Sequence, residues 1–412
     1  MTESTAWTVP IGGIDPSRAA LYGDDTQGPW FARLRRDDPV HWCKSSDVGP
    51  YWSVTKFHDI KFVDTHHDLY SSAEGITIAE AEADPEVMLE NFISMDPPRH
   101  DEQRKTVAPV VAPTNLMNLE PQIRAHVRNI IDDLPVGPAF NWVDKVSIEL
   151  TGRMLATILD FPYEERRKLV YWSDVTTASP QLMGEAGMPG ESRRDELAVC
   201  ARTFAQLWHD RAAKPPAHDL ISMLAHGEST KDMLSRPDEF LGNILLLIVG
   251  GNDTTRNSIS GGVLALNRHP EQYEKLRAHP KLIPNMVAEM IRWQTPVIHM
   301  RRTATQDTEL GGKKIKKGDK VVMWYLSGNR DEEIFSDADK LVIDRANARQ
   351  HVSFGYGIHR CMGNRLAEMQ LRVLWEELVK SFHAVRVVAE PTRVPNNFIR
   401  GIADLQVVLD AR

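Results

Sequence analysis

From Asp238 to His269 the chain runs without a proline. As one helix rising about 1.5 Å per residue, that stretch is long enough to cross a domain of this size. Its first half, Phe240 to Val249, is apolar nearly all round, the pattern of a helix enclosed by protein on every side. A fold built on such a helix must supply neighbours for all its faces, so the rest of the chain is constrained to pack around it. Gly250-Gly251-Asn252-Asp253-Thr254-Thr255 then breaks the pattern. Each glycine costs about 1 kcal/mol relative to alanine inside a helix, and Thr254 can bond back to the carbonyl four residues earlier, which bends helices. A local opening is predicted there. The alternative is an N-cap between two abutting helices, since Asp and Thr are good caps.

Around this run the pattern is mainly helical with smaller β regions. The first ~70 residues alternate turn signals with β-prone pieces such as His41-Trp42-Cys43 and Tyr51-Trp52-Ser53-Val54, which predicts a small sheet near the N-terminus. Helical periodicity dominates from about Pro121 to His279. Strand signals return between Glu309 and Met323, punctuated by Gly and Asp as in a hairpin, with the lysines forming a solvated face. Pro180 to Pro189, without clear period, reads as a mobile loop between two helices. No internal repeat or linker interrupts the chain, and residues 1–412 read as one mainly α domain.

Charge and cysteine usage narrow the function. With 49 basic and 57 acidic residues the net charge is −8, which argues against binding nucleic acid or an anionic membrane surface. The longest apolar run, Ile244 to Val249, falls far short of the ~20 residues that span a bilayer. The N-terminus MTESTAWTVPIGGIDP carries no export signal, so a cytoplasmic protein without a membrane anchor is expected. Cys43, Cys200 and Cys361 offer neither a disulfide framework nor a zinc pattern.

Cys361 alone has a context. Glycines 355, 357 and 363 surround it, and the apolar positions Leu366, Met369, Val373, Leu374 and Leu378 that follow have helical spacing. The cysteine therefore sits at a helix N-terminus, where the dipole and free N–H groups favour a thiolate. Glycines there let the backbone turn tightly and approach a flat ligand. A thiolate so placed, with N–H groups to tune it, is what an iron ligand needs.

The segment Phe354-Gly355-Tyr356-Gly357-Ile358-His359-Arg360-Cys361-Met362-Gly363 resembles the heme-binding loop FxxGxxxCxG of the cytochrome P450 superfamily at every defined position. The resemblance implies the superfamily's mainly α fold, with heme b held between the long central helix and the cysteine loop and Cys361 as the iron ligand. It places Gly250-Gly251-Asn252-Asp253-Thr254 on the central-helix motif (A/G)GxDT, with Asp253 relaying protons from solvent and Thr254 holding the distal oxygen or its water. Glu289 and Arg292, with Arg345 downstream, correspond to the superfamily's Glu-Arg-Arg network and are fold residues. His100, Arg104, Arg302 and His359 correspond to cationic donors for the heme carboxylates; with Phe354, Cys361 and Gly363 they complete the implied cofactor site. Leu246, Val249, Gly250, Val297, Ile298, Phe398 and Ile399 are the implied substrate-facing residues.

A longer resemblance narrows the substrate. Leu246 to Ser258, Glu289 to Pro296, Phe161 to Arg167 and Gly363 to Glu368 look like the bacterial alkane terminal hydroxylases, with similarity from about Trp30 to Gly401. This implies a monooxygenase that uses O2 to hydroxylate the end carbon of medium-chain n-alkanes or fatty acids. No GxGxxG fingerprint occurs in the chain, so electrons from NAD(P)H would arrive through a ferredoxin reductase and a ferredoxin. Lys105, Arg349, Arg360 and Arg365 are the expected docking cations, on a protein expected to be a monomer. The loops Ala73 to Asn91 and Thr177 to Arg194 are expected to decide chain length. Two other readings stay open: a P450 acting on a terpene or another bulky hydrophobic molecule, and a heme-thiolate sensor without turnover, against which Asp253-Thr254 speaks.

Overall fold

The computed structural model describes residues 3–44, 47–78 and 89–411. Its axis is the helix Pro237–Arg268, 32 residues long. Pro237 starts it where a missing N–H costs nothing, and Asp238 and Glu239 favour the positive end of the dipole. The helices Glu149–Leu159, Arg167–Thr177 and Ile283–Gln294 pack against it. The predicted opening at residues 250–255 is absent: helix continues through them, with Thr254 Oγ1 donating to Gly250 O at 2.9 Å. The alternative of two abutting helices is excluded by the same continuity. Gly251 has a packing reason instead, because a Cβ there would lie 2.7 Å from Leu155 Cδ2.

A five-stranded sheet flanks this helical body in the order Val40–Lys44, Pro50–Val54, Lys320–Met323, Met300–Ala304, Tyr70–Ser71. Its neighbours are antiparallel except Pro50–Val54 with Lys320–Met323. The predicted N-terminal strands and the hairpin Thr308–Leu310 to Lys313–Ile315 both form. Lys320 departs from the solvated face expected of its neighbours: it is buried, and its Nζ donates to the Val48 and Ile78 carbonyls. Helices already occur before Pro121, at Gly28–Asp37, Phe57–Thr65 and Arg99–Val107, and Pro121 lies inside the element Pro113–Asp132. Burial of Leu116, Leu119, Ile123, Val127 and Ile130 on one face outweighs the lost hydrogen bond. Residues 180–189, expected as a loop, contain the short helix Pro180–Met183. Of the loop Ala73 to Asn91, residues 79–88 lie outside the described residues.

The Glu-Arg-Arg triad fixes the long irregular segment before the cysteine. Arg292 donates twice to Glu289, at 2.8 Å each, and Arg345 Nε reaches the same carboxylate at 3.0 Å. Glu289 and Arg292 are fully buried. The remaining Arg292 donors bind the carbonyls of Asn329, Ala338 and Lys340, and Phe335 lies under both guanidinium groups. A buried ion pair is sustainable only with such complete hydrogen bonding. These residues belong to the fold, as their spacing suggested.

Candidate active site

A cavity of about 670 Å³ separates the central helix from the cysteine loop. Leu246, Val249, Gly250 and Thr254 line it on one side; Phe354, His359, Cys361 and Gly363 line it on the other. The loop is a chain of tight turns ending at the helix Asn364–Ser381, with the Cys361 N–H bonded to Phe354 O at 2.7 Å. Gly355 and Gly357 have φ of 64° and 65°, conformations that disfavour any side chain. They also make room for Asp64: a Cβ on Gly357 would lie 2.2 Å from the Asp64 carbonyl oxygen. At Gly357, which does not line the cavity, the close approach is therefore to protein. Gly355 and Gly363 both border the cavity, and Gly363 has nothing within 4 Å of an added Cβ.

Asp64 had no sequence signal, yet it organises this side. Its buried carboxylate accepts from Arg302 at 2.9 Å, from Tyr325 Oη at 2.9 Å and from the Tyr356 N–H at 2.7 Å. Burial pushes its pKa up, against the pull of Arg302. The Cys361 side chain is open to the cavity and enclosed by protein elsewhere. Burial raises its thiol pKa, although the N–H groups of Gly363 and Asn364 and the charges of Arg104 and Arg360 pull it down. The N–H groups at the helix start favour the thiolate as expected, but burial outweighs them in the protein alone; a bound metal cation would supply the missing attraction.

Arg104, Arg302 and His359 border the cavity, as predicted. His100 lies behind His359, ring edge to face at 4.4 Å, and does not line the cavity. In the protein alone burial, then Arg302, His100 and Arg104, hold the His359 pKa far below the ordinary value, which disfavours its charged form until an anion is bound beside it. Arg302 is committed to Asp64, and Arg104 donates to Arg360 O at 2.5 Å. Even so, both His359 ring nitrogens and His100 Nε2 are buried without a hydrogen-bond partner. Orphaned buried donors are rare and costly, and here they adjoin two guanidinium groups and a thiol. This donor set fits a flat prosthetic group bearing carboxylates and a thiophilic metal, as heme does.

On the other side, Asp253 is fully buried and points away from the cavity. Arg256 bridges it, at 2.5 Å, to Asp174 at 2.7 Å, and Asp174 is half exposed. Ser173 Oγ donates to Asp253 at 3.1 Å and Asn252 at 3.2 Å. Burial pushes the Asp253 pKa up to about 6, opposed by Arg256, aided by Asp174 and opposed by the Ser173 bond. Asp253, the residue before Thr254, is thus linked through Arg256 to the solvent-exposed Asp174.

Val297, Phe398 and Ile399 line the cavity together with Leu246, Val249 and Gly250. Ile298 does not. Extended segments alternate their faces, and with Val297 inward Ile298 packs into the cluster of Phe31, Tyr51 and Trp324. Met154, Leu155, Ile158, Leu182 and Met188 complete the apolar wall, unmarked in the sequence because buried apolar residues look alike there.

A helical body crossed by one long helix, with a lone cysteine loop facing it across a cavity, defines a heme-thiolate enzyme. The chain belongs to the cytochrome P450 family: the profile described as "Cytochrome P450" matches residues 201–403, and full-length relatives agree. Linalool 8-monooxygenase from Pseudomonas putida is 38% identical, covering 94% of this chain and 97% of that one. Methyl-branched lipid omega-hydroxylase from Mycobacterium tuberculosis is 32% identical, covering 97% and 95%. Among solved structures, cytochrome P450-153 from Novosphingobium aromaticivorans is similar with a TM-score of 0.90 and 46% identity, over 96% of this chain and 99% of that one. CYP153D17 from Sphingomonas sp. PAMC 26605 gives 0.91 and 47%, over 97% and 100%. The chain is accordingly a heme-thiolate monooxygenase. Among the described residues no helix is long and apolar enough to cross a membrane.

Proposed function

We propose that this monooxygenase hydroxylates the end carbon of medium-chain n-alkanes or fatty acids in the cytoplasm. The observation that carries the reading is the cavity itself, whose wall above Cys361 is built from Leu246, Val249, Met188, Val297 and Phe398. A linear chain offers little to hydrogen-bond, and such a wall excludes water from it. The likeness to the two P450-153 structures and to the lipid omega-hydroxylase supports the same reading.

Heme bound through a thiolate supplies dioxygen activation and insertion of one oxygen atom into a C–H bond. Cys361 would hold the iron, and Arg104, Arg302 and His359 would meet the carboxylates, His100 backing the His359 ring, with Phe354 and Gly363 lining the same cavity. Asp253 would take protons from solvent on the Asp174 side, the always-charged Arg256 holding the two carboxylates in place without carrying the proton, and the Thr254 hydroxyl would pass them into the cavity. Exposed Lys105, Arg349, Arg360 and Arg365 form a cationic surface on the cysteine side for an acidic ferredoxin fed by an NAD(P)H reductase. Arg349 shares its charge with Glu368 at 3.3 Å.

The test is reconstitution with ferredoxin, reductase and NADH on C6–C14 alkanes and fatty acids, identifying the hydroxylated carbon; products oxidised mainly in mid-chain refute terminal hydroxylation. A second reading, a terpene substrate, is favoured by the likeness to linalool 8-monooxygenase. A terpene alcohol that shifts the heme spin state more tightly than any linear chain decides for it.

A further inference from the structure

His299 lies two residues after cavity-lining Val297, yet is fully buried outside the cavity. Its Nδ1 contacts Asn397 O at 2.8 Å, and its Nε2 lies 3.0 Å from the Ile78 N–H. A backbone N–H can only donate, so Nε2 must accept, and the ring is a neutral tautomer with its proton on Nδ1. Burial pushes its pKa down to about 4, which keeps that tautomer at neutral pH. Trp324 and Phe398 hold the ring plane at centroid distances of 5.2 and 5.5 Å.

The two partners belong to different walls. Ile76 and Thr77, just before Ile78, line the cavity; so do Phe398 and Ile399, just after Asn397. Asn397 N–H donates in turn to Leu182 O at 2.8 Å, and Asn396 Nδ2 to Thr177 O at 3.1 Å. Walls from two remote parts of the chain thus meet at one imidazole, and Asn396 and Asn397 tie the 177–182 segment to one of them. Backbone bonds assist it: Ile298 N–H to Phe398 O and Arg301 N–H to Ile76 O, both 2.8 Å. Neither of these joins the 76–78 wall to the 396–399 wall, whereas His299 touches both with one rigid ring.

We propose that His299 is a positioning residue that sets the cavity's shape, and with it which carbon of a substrate is presented, by clamping the 76–78 wall to the 396–399 wall. This rests on the reading of the cavity as the substrate site, and it deepens it: regiochemistry depends on a residue that never touches substrate. Pre-organised walls spare the ligand the cost of ordering them, so loosening them weakens binding and spreads the products together.

Three variants separate the two bonds. His299→Asn keeps a donor at the Nδ1 level for Asn397 O and loses the acceptor for Ile78; His299→Gln does the reverse; His299→Phe fills the space with neither. Hydrogen exchange needs no ligand: Asn should speed exchange at 76–78, Gln at 397–399, Phe at both. His299→Phe should bind spin-shifting ligands about tenfold more weakly and lose regioselectivity, while the CO-bound ferrous band stays that of the wild type. Unchanged exchange in all three variants overturns the proposal. So does faster exchange with the wild-type product distribution and ligand affinities, which would leave His299 a merely structural residue. Should His299→Phe fail to fold, the Asn and Gln variants decide by the same measures. Wild type that oxidises a terpene alcohol and no linear chain refutes the substrate reading alone, and the clamp is then judged with that ligand.

Discussion

Replacing Asp253 with Asn tests whether a buried carboxyl is kept for proton transfer at the expense of stability. The carboxyl titrates near 6 in the folded protein against an ordinary 3.8. Between these values the folded state holds a proton that the unfolded state has released, so Asp253 contributes stability below 3.8 that is lost as pH rises through 6. The full span, about 2 units, is worth about 3 kcal/mol. From about pH 7.5 down to pH 5 the linkage relation gives about 1.4 kcal/mol in favour of the folded wild type. At about 2.1 cal/mol/K of unfolding entropy per residue over 412 residues, that is a shift of about 1–2 °C in melting temperature. The difference in melting temperature between Asp253→Asn and wild type, measured on heme-loaded protein at both pH values, should change by that amount. Asn does not titrate, so shared pH effects cancel. The same variant should lose about 10²–10⁴-fold in product formation. A difference in melting temperature that is flat from pH 5 to 7.5 would falsify the raised pKa, and a variant with undiminished turnover would show that protons reach the cavity without Asp253.

Thr254→Ala should divert reducing equivalents to hydrogen peroxide while NADH consumption continues; measuring peroxide against product checks this, and unchanged coupling removes Thr254 from the relay. Glu289→Gln leaves Arg292 and Arg345 without their shared buried anion and should cost about 3–5 kcal/mol, read as loss of heme-loaded protein on expression and of the CO-bound ferrous band; wild-type melting would contradict the triad's structural role. Arg365→Glu, at an exposed position, should slow ferredoxin-driven turnover and flatten its dependence on salt, and equal rates at low salt would place the ferredoxin elsewhere.

What the sequence made legible were features whose partners lie close by in the chain. The cysteine loop is a fixed spacing of glycines before a helical period, and Glu289 and Arg292 are one helical turn apart. The central helix announced itself by length and by having no polar face. Asp64 and His299 announced nothing, because their decisive partners are 238 and 221 residues away. No local spacing distinguishes either from any other Asp or His. Val297 and Ile298 show a second limit. Both are apolar and buried, and a segment enclosed on two sides gives no alternation from which to tell the cavity face from the core face.

Charge shows a third limit, and it bears on mechanism. His359 counts as a cationic donor only if its surroundings permit the charge, and in the protein alone burial, then Arg302, His100 and Arg104, disfavour it. The same low-dielectric setting that neutralises His359 and raises the Cys361 thiol also lifts Asp253 toward neutrality. Each shift disfavours a charged side chain in the protein alone, yet they differ in remedy. A metal cation with carboxylates would compensate the cysteine and the histidine by binding. Nothing beside Asp253 compensates it fully: Arg256 is shared with Asp174, and Ser173 and Asn252 contribute neutral hydrogen bonds. The incompletely compensated carboxyl has its pKa raised toward neutrality and sits one residue from Thr254, the position that the proposed proton relay needs.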